Sequence, residues 1–270
     1  MYIWRLGLTM NYAYLVVFGY VPYAVMFIFL AGIVYRIVRW LMPKGLTGLY
    51  NVNTTVGDDT YGKITVEILK RIFLFYTLPG TDNTLFVGSL LFHWGIWIAL
   101  IGHLGLVIPS SWLHITTQEH YLIAHVVGGL GGSMALVGML ILLARRFVTR
   151  EVKVMSRSVR IPMRMFSFLD DYFADTLLLL IIILGLLQTL WIQPNFEATV
   201  SPWIWSLASF APKVSYIMAA PLITQVHIIL AMIFITYFPW SKMMHPFSFI
   251  YISPTIARPS IRIRVRSISR

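Results

Sequence analysis

The sequence predicts an all-α integral membrane protein, a bundle of five transmembrane helices. Hydrophobic residues make up 58% of the chain and charged residues only 11%, whereas soluble domains carry roughly 25% charged residues. Five long apolar stretches occur, and the basic residues cluster between alternate pairs of them. We therefore expect residues 1–270 to form a single membrane domain that crosses the cell membrane several times.

Each apolar stretch is long enough to cross a bilayer, which takes about 20 residues. The stretches run from about Tyr12 to Tyr35, Thr84 to Ile108, Tyr121 to Ala144, Thr176 to Ile192 and Val214 to Trp240. The first is too long for the hydrophobic part of a cleavable signal peptide and has no clear cleavage site, so we expect it to remain as the first helix.

The basic residues predict how these helices are oriented. Along the chain, the segments outside the helices contain one, six, no, seven, one and six Lys or Arg residues. Loops rich in Lys and Arg stay on the cytoplasmic side, so the N-terminus should lie outside and the C-terminus in the cytoplasm. This topology also accounts for the net charge of +11, and we expect no nucleic-acid partner.

Two segments on the predicted inner side are distinctive. The loop 41–82 contains apolar residues at helical spacing from Ile64 to Tyr76 with charged residues opposite, which predicts an amphipathic helix lying on the membrane interface or against a partner subunit. Residues 246–270 form a basic cytoplasmic tail, which can contact a partner or anionic lipid headgroups.

The chain contains no cysteine. This excludes disulfides, iron–sulfur clusters held by thiolates, and covalent haem attachment. A redox cofactor would have to be held by histidine, by methionine or by packing alone.

Four of the seven histidines suggest two metal-binding pairs. His93 and His103 are ten residues apart on the second helix, about 15 Å along its axis. His227 lies in the fifth helix and His245 follows eighteen residues later, about 27 Å if the helix continued, although Pro239 should kink and shorten it. The two helices are predicted to be antiparallel, so His93 should pair with His245 at the inner face and His103 with His227 at the outer face.

Each pair can supply both axial ligands of one b-type haem, which predicts two haems stacked across the membrane. A lone buried histidine is more often a hydrogen-bonded core residue, but four at matching depths favour ligands. Zinc fits less well because no acidic or sulfur ligand accompanies them. Small residues near the histidines can leave room for a flat macrocycle or allow close helix packing; they are Gly95, Gly102, Gly105, Gly128, Gly129, Gly131 and Gly132, with Gly102 as a cofactor-binding candidate.

The other three histidines, His114, His120 and His125, fall on the predicted outer side. A quinol releases protons when it is oxidised, and a histidine near the outer haem could accept one. His120 is the preferred candidate, and each of the three could equally be an ordinary interfacial histidine.

These motifs resemble a known family. Leu91-Phe92-His93-Trp94-Gly95-Ile96 with Ile101-Gly102-His103, and the stretch from His227 through Phe238-Pro239-Trp240-Ser241-Lys242 to His245, are similar to the second and fifth helices of the respiratory nitrate reductase gamma subunit, a dihaem cytochrome b. Gly128-Gly129 and Leu142-Leu143-Ala144-Arg145-Arg146 resemble its third helix. The resemblance extends from about Leu69 to Pro254.

A related branch contains membrane subunits of sulfite-reductase-associated and heterodisulfide-reductase complexes. Asp170-Asp171-Tyr172-Phe173, Lys242-Met243-Met244-His245 and Ile252-Ser253-Pro254-Thr255 look more like this branch. In the gamma subunits a lysine lies near the quinol site, and His120 stands at about that position here.

The resemblance implies that His93 and His245 bind the inner haem iron and His103 and His227 the outer one. It also implies that menaquinol or another quinol is oxidised near the outer haem, and that electrons pass to an iron–sulfur subunit and a catalytic subunit at the cytoplasmic face. Two other functions compete with this one. They are a transporter that relays protons through histidines without haem, and a purely structural anchor for a peripheral enzyme.

Overall fold

The computed structural model describes residues 11–42, 61–76, 78–80, 82–154 and 157–250. Five helices in this part of the chain are long and apolar enough to cross a membrane: Asn11–Arg39, Asn83–Leu106, Thr117–Arg146, Leu169–Ile192 and Leu222–Trp240. The predicted all-α bundle of five transmembrane helices is therefore confirmed.

The helices carry the following labels in chain order. They are α1 (Val21–Leu41), α2 (Tyr61–Leu74), α3 (Asn83–His103), α4 (Thr117–Arg146), α5 (Leu169–Leu187), α6 (Val200–Ala208), α7 (Val214–Met218) and α8 (Leu222–Tyr237). A π-helical segment, Leu15–Tyr20, precedes α1, and another, Gln188–Ile192, follows α5. Short 3-10 segments occur at Leu104–Leu106, Met163–Phe166, Phe238–Trp240 and Lys242–Ile250.

Helix α2 forms where the sequence predicts an amphipathic helix. It is tied to α3 by Trp94, whose Nε1 donates to the Phe73 carbonyl at 2.9 Å, and the Phe73 ring packs edge-on against Trp97. Its placement on the membrane interface stays a prediction. Most of the predicted basic tail, residues 251–270, lies outside the described residues.

The fourth span begins earlier than the sequence analysis predicts, because its acidic residues are paired. Helix α5 starts at Leu169, and the Asp171 carboxylate accepts a hydrogen bond from the Phe168 main-chain N–H at 2.9 Å, which caps the helix. One turn later, Asp175 forms an ion pair with Arg146 of α4 at 2.8 Å. These partners accommodate Asp171 and Asp175 near the start of an otherwise apolar helix.

The fifth span begins later than predicted and ends at Trp240, as predicted. Pro221 precedes α8 and separates it from the short helix α7, since proline suits the start of a helix rather than its interior. At the other end, Phe238-Pro239-Trp240 forms a 3-10 turn, Ser241 is extended, and a second 3-10 segment carries His245. His227 and His245 are therefore not on one continuous helix.

Helices α3 and α4 pack with their backbones in direct contact at glycines. A Cβ atom added to Gly95 would lie 2.2 Å from the Ala135 main-chain nitrogen, and one added to Gly138 would lie 2.3 Å from that of Phe92. Gly131 likewise faces the backbone of Gly95 and Ala99. At Gly95 and Gly131 the structure therefore decides between the two explanations for small residues in favour of close helix packing.

The two ends of the bundle differ in charge. At one end, the basic end, Arg145 pairs with Asp82 at 2.7 Å and Lys242 pairs with Asp171 at 2.9 Å. At the other, the loop end, residues 107–116 meet residues 193–213, and the Trp205 Nε1 donates to the Val107 carbonyl at 3.1 Å.

A hairpin of β1 (Thr149–Val154) and β2 (Arg157–Pro162), which the sequence analysis did not predict, follows α4 at the basic end.

Candidate functional site

The structure brings His93 and His245 together at the basic end. The centroids of their rings are 5.8 Å apart and the ring planes meet at 78°. His93 lies on α3, and its Nδ1 contacts the Ser89 carbonyl at 2.8 Å. The Nδ1 of His245 contacts the Lys242 carbonyl at 3.3 Å. His93 and His245 are therefore neighbours, as the sequence analysis predicts, and their placement at the inner face stays a prediction.

His103 and His227 form a second pair towards the loop end. Their rings are nearly parallel, at 12°, with centroids 6.3 Å apart. The Nδ1 of His103 contacts the Ala99 carbonyl at 2.7 Å. The His227 ring packs against Gly185 of α5, where an added Cβ would lie 3.3 Å from its Cε1, so the glycine leaves the space that this ring occupies.

The main-chain contacts set which ring nitrogen is free. A carbonyl oxygen only accepts hydrogen bonds, so the Nδ1 atoms of His93, His103 and His245 carry the proton and donate it. The Nε2 of each ring then keeps the lone pair that binds a metal, which is how ligating histidines are usually oriented.

The spacing of both pairs fits two imidazoles on opposite sides of one metal ion. With each ring bound through a nitrogen at about 2.0–2.1 Å, the ring centroids lie about 6 Å apart. Among the described residues, no group of three or more metal-binding side chains occurs, whereas zinc takes at least three protein ligands. A haem takes two axial ligands, and so the donor set of each pair fits a haem.

The 3-10 segment that carries His245 is held in place by an acidic cluster on α5. The Nζ of Lys242 donates to both carboxylate oxygens of Asp171 at 2.9 Å, and the Tyr237 hydroxyl donates to the Asp170 carbonyl at 3.2 Å. Hydrogen bonding to Asp171 raises the pKa of Lys242, which stays charged. Two motifs that stand far apart in the sequence, at 170–173 and 242–245, thus meet beside His245.

His120 lies at the loop end, in the first turns of α4. It is only 3% exposed, and its Nδ1 donates to the Glu197 Oε1 at 2.6 Å. Its Nε2 is buried and has no hydrogen-bond partner among the described residues, and a Cβ added to Gly105 would lie 3.0 Å from it. Gly105 is two residues beyond His103, so the Nε2 of His120 lies against the turn that follows His103.

The other two histidines of this region have different surroundings. The Nδ1 of His125 donates to the Thr189 carbonyl at 2.8 Å, in the π-helical end of α5. His114 is exposed and takes a left-handed backbone conformation, with φ 55°. A Cβ added to Gly102 would make only ordinary van der Waals contacts, with Val127 and Gly128. The cofactor-binding role of Gly102 stays a prediction.

Glu197 and the contact between Lys242 and Asp171 were missed by the sequence analysis. Glu197 is 77 residues from His120 and carries no motif of its own. Burial of Glu197 favours a raised pKa, but hydrogen bonds from His120, Ser110 and Thr117 outweigh it, so the pKa of Glu197 is lowered and the side chain is ionised.

The sequence matches a family model and several characterised relatives. The model of the nitrate reductase gamma subunit matches residues 80–266. The nitrate reductase gamma chain of Bacillus subtilis is 26% identical over 243 residues, covering 86% of this chain and 91% of the relative. An Hdr-like menaquinol oxidoreductase cytochrome b-like subunit of Archaeoglobus fulgidus is 28% identical over 280 aligned positions, covering 91% and 80%.

A third relative is a larger protein. The nitrate reductase-like protein NarX of Mycobacterium tuberculosis is 28% identical over 172 residues, and the match covers 60% of this chain but only 25% of NarX. The family match covers all four paired histidines and four of the five spans, and together with the spans it places the protein in the cell membrane as a multi-pass protein. This chain belongs to the nitrate reductase gamma subunit family.

Proposed function

We propose that the protein is a dihaem b-type cytochrome, the membrane subunit of a respiratory oxidoreductase complex that transfers electrons between the quinol pool and a cytoplasmic iron–sulfur partner. The observation that carries this proposal is the spacing of the two histidine pairs, 5.8 and 6.3 Å between ring centroids. Relatives that are named nitrate reductase gamma chain and menaquinol oxidoreductase cytochrome b-like subunit support it.

The two pairs define a path along the bundle. His93 and His103 are ten residues apart on α3, which corresponds to about 15 Å. Haem b bound at each pair would carry single electrons. The basic end, with Arg145, Arg146 and Lys242, is the cytoplasmic side by the positive-inside rule, and it is where an iron–sulfur subunit and a catalytic subunit would dock. The N-terminus then lies outside.

The loop end is the side where a quinol, such as menaquinol, would be oxidised. Oxidation of a quinol releases protons. The buried Nε2 of His120 lies next to the turn that follows His103, and no partner for it occurs in the part of the chain that the structure describes. An imidazole whose Nε2 keeps its lone pair can act as a general base. We assign to His120 the acceptance of the quinol proton.

The test is the haem content and spectrum of the purified complex. We expect about two b-type haems per chain with a bis-histidine spectrum. His103→Ala or His227→Ala should remove the outer haem, and His93→Ala or His245→Ala the inner one. His114→Asn is a matched control, since asparagine tolerates the left-handed conformation of this exposed loop residue.

The outcome also separates the competing functions. A fully loaded preparation with one haem or none contradicts the dihaem proposal. Proton movement into reconstituted vesicles by a haem-free protein would instead support a transporter that relays protons through these histidines. Loss of the outer haem in His93→Ala would contradict the pairing.

A further inference from the structure

We propose that Glu197 is a positioning residue for proton acceptance at the outer site, where it orients His120 and stabilises its protonated form. This inference rests on the proposed quinol oxidation and deepens it. The two residues come from different elements, since His120 lies on α4 and Glu197 in the segment between α5 and α6. Their contact, 2.6 Å between Nδ1 and Oε1, joins these elements at the loop end.

The hydrogen bond fixes the tautomer of His120. A carboxylate only accepts hydrogen bonds, so the Nδ1 of His120 carries the proton and its Nε2 keeps a lone pair. The Phe196 ring packs edge-on against the imidazole at 5.3 Å and restricts its rotation. The Nε2 therefore has one defined direction, towards Gly105.

Gly105 lies against that nitrogen. An added Cβ there would lie 3.0 Å from the Nε2, so the glycine leaves the space that the buried ring occupies. The glycine is part of the 3-10 turn directly after α3, and so the proton acceptor faces the end of the helix that carries His103.

Other titratable groups nearby have separate partners. The Glu119 carboxylate accepts from the main chain and hydroxyl of Thr116 and caps α4. The Tyr121 hydroxyl donates to Asn195 at 2.7 Å, and His125 donates to Thr189. Among the described residues, Glu197 is the acid that contacts the His120 ring.

The proton balance follows the usual role of a carboxylate behind a histidine. Oxidation of one quinol to a quinone breaks two O–H bonds and releases two protons and two electrons. An oxidised haem b held by His103 and His227 would accept these electrons one at a time. Each hydroxyl proton in turn forms an N–H bond at the Nε2 of His120, and the resulting imidazolium gives it up to water at the outer surface.

Glu197 stabilises this imidazolium without taking the proton, as in other carboxylate–histidine pairs. Its lowered pKa keeps it ionised. Its side chain is 22% exposed, whereas the His120 ring is buried.

The experiment compares Glu197→Gln, Glu197→Asp and Glu119→Gln in the intact complex. Glu119→Gln is the matched control, an adjacent carboxylate that contacts Thr116 instead of His120. The probe is a water-soluble menaquinol analogue, and the readouts are kcat, KM and haem content. We expect Glu197→Gln to lower kcat about tenfold or more, with KM and haem content near wild type, and Glu197→Asp to recover most of the rate.

A double variant keeps the test decisive if the single change also disturbs folding. If the two residues act as a unit, His120→Gln with Glu197→Gln should be no slower than His120→Gln alone. Equal rates for Glu197→Gln and Glu119→Gln, or additive losses in the double variant, would overturn the proposal. A wild-type complex whose haem is not reduced by the quinol would instead contradict the proposed function itself.

Discussion

The sharpest structural prediction concerns Gly95, at the contact between α3 and α4. In Gly95→Ala the new methyl group would lie 2.2 Å from the Ala135 main-chain nitrogen and 2.6 Å from the Gly131 carbonyl oxygen. Non-bonded atoms prefer about 3.5 Å, so the helices must separate by more than an ångström. The atoms in the way are backbone, which cannot rotate aside.

This separation should affect both stability and cofactor binding. Overpacking a well-packed contact costs about 1–3 kcal/mol. Helix α3 also carries His93 and His103, whereas their partners lie on α8 and in the 3-10 segment that follows it. Metal–ligand distances vary by only about 0.2 Å, so a shift of α3 would disturb both pairs. We therefore expect Gly95→Ala to lower the thermal unfolding temperature and to reduce the content of both haems.

The assay is thermal unfolding in detergent together with haem b per chain. Gly129→Ala, on α4, is the control, because its new methyl group would meet only the flexible end of the Leu190 side chain at 3.2 Å. If Gly95→Ala unfolds at the same temperature as Gly129→Ala and binds as much haem, the packing argument is wrong.

Three further predictions follow from polar contacts. The Asp82 side chain accepts from the Leu85 N–H and pairs with Arg145, so Asp82→Ala should be less stable than Asp82→Asn by about 1 kcal/mol, the value of a helix cap, in thermal unfolding; equal losses would contradict this. The lowered pKa of Glu197 means that its ionised form stabilises the folded protein fully above its ordinary value of 4.5 and less as the pH falls through the lower folded-state value. The melting-temperature difference between wild type and Glu197→Gln should thus persist from pH 7 to 4.5 and shrink below it, and a difference that already vanishes near pH 6 would refute the assignment. Trp94→Phe removes the hydrogen bond to Phe73 and should speed hydrogen exchange in α2 while leaving haem content unchanged; unchanged exchange would show that this bond does not hold the helix.

The spans and the histidine pairing were predictable because they depend on local composition and on chain direction. A run of about 20 apolar residues between charged ones identifies a span wherever it packs. The second and fifth spans are predicted to be antiparallel, so the first histidine of each lies at the depth of the last histidine of the other, which gives the pairs His93–His245 and His103–His227.

The start of the fourth span was not predictable in this way. Charged residues at the edge of an apolar stretch indicate a loop, and this segment contains Asp170, Asp171 and Asp175. In the structure Lys242 pairs with Asp171 and Arg146 pairs with Asp175, which allows the helix to include them. The break between α7 and α8, by contrast, has a local signal in Pro221.

By itself, the sequence determined the membrane fold, the five crossings and the four paired histidines, because hydrophobicity and spacing act within one helix. Only the tertiary structure decided that Gly95 and Gly131 serve helix contact, that His245 is presented by a 3-10 segment rather than a helix, and that Glu197 contacts His120. Each of these depends on atoms that are distant in the chain, and no local pattern records such a contact.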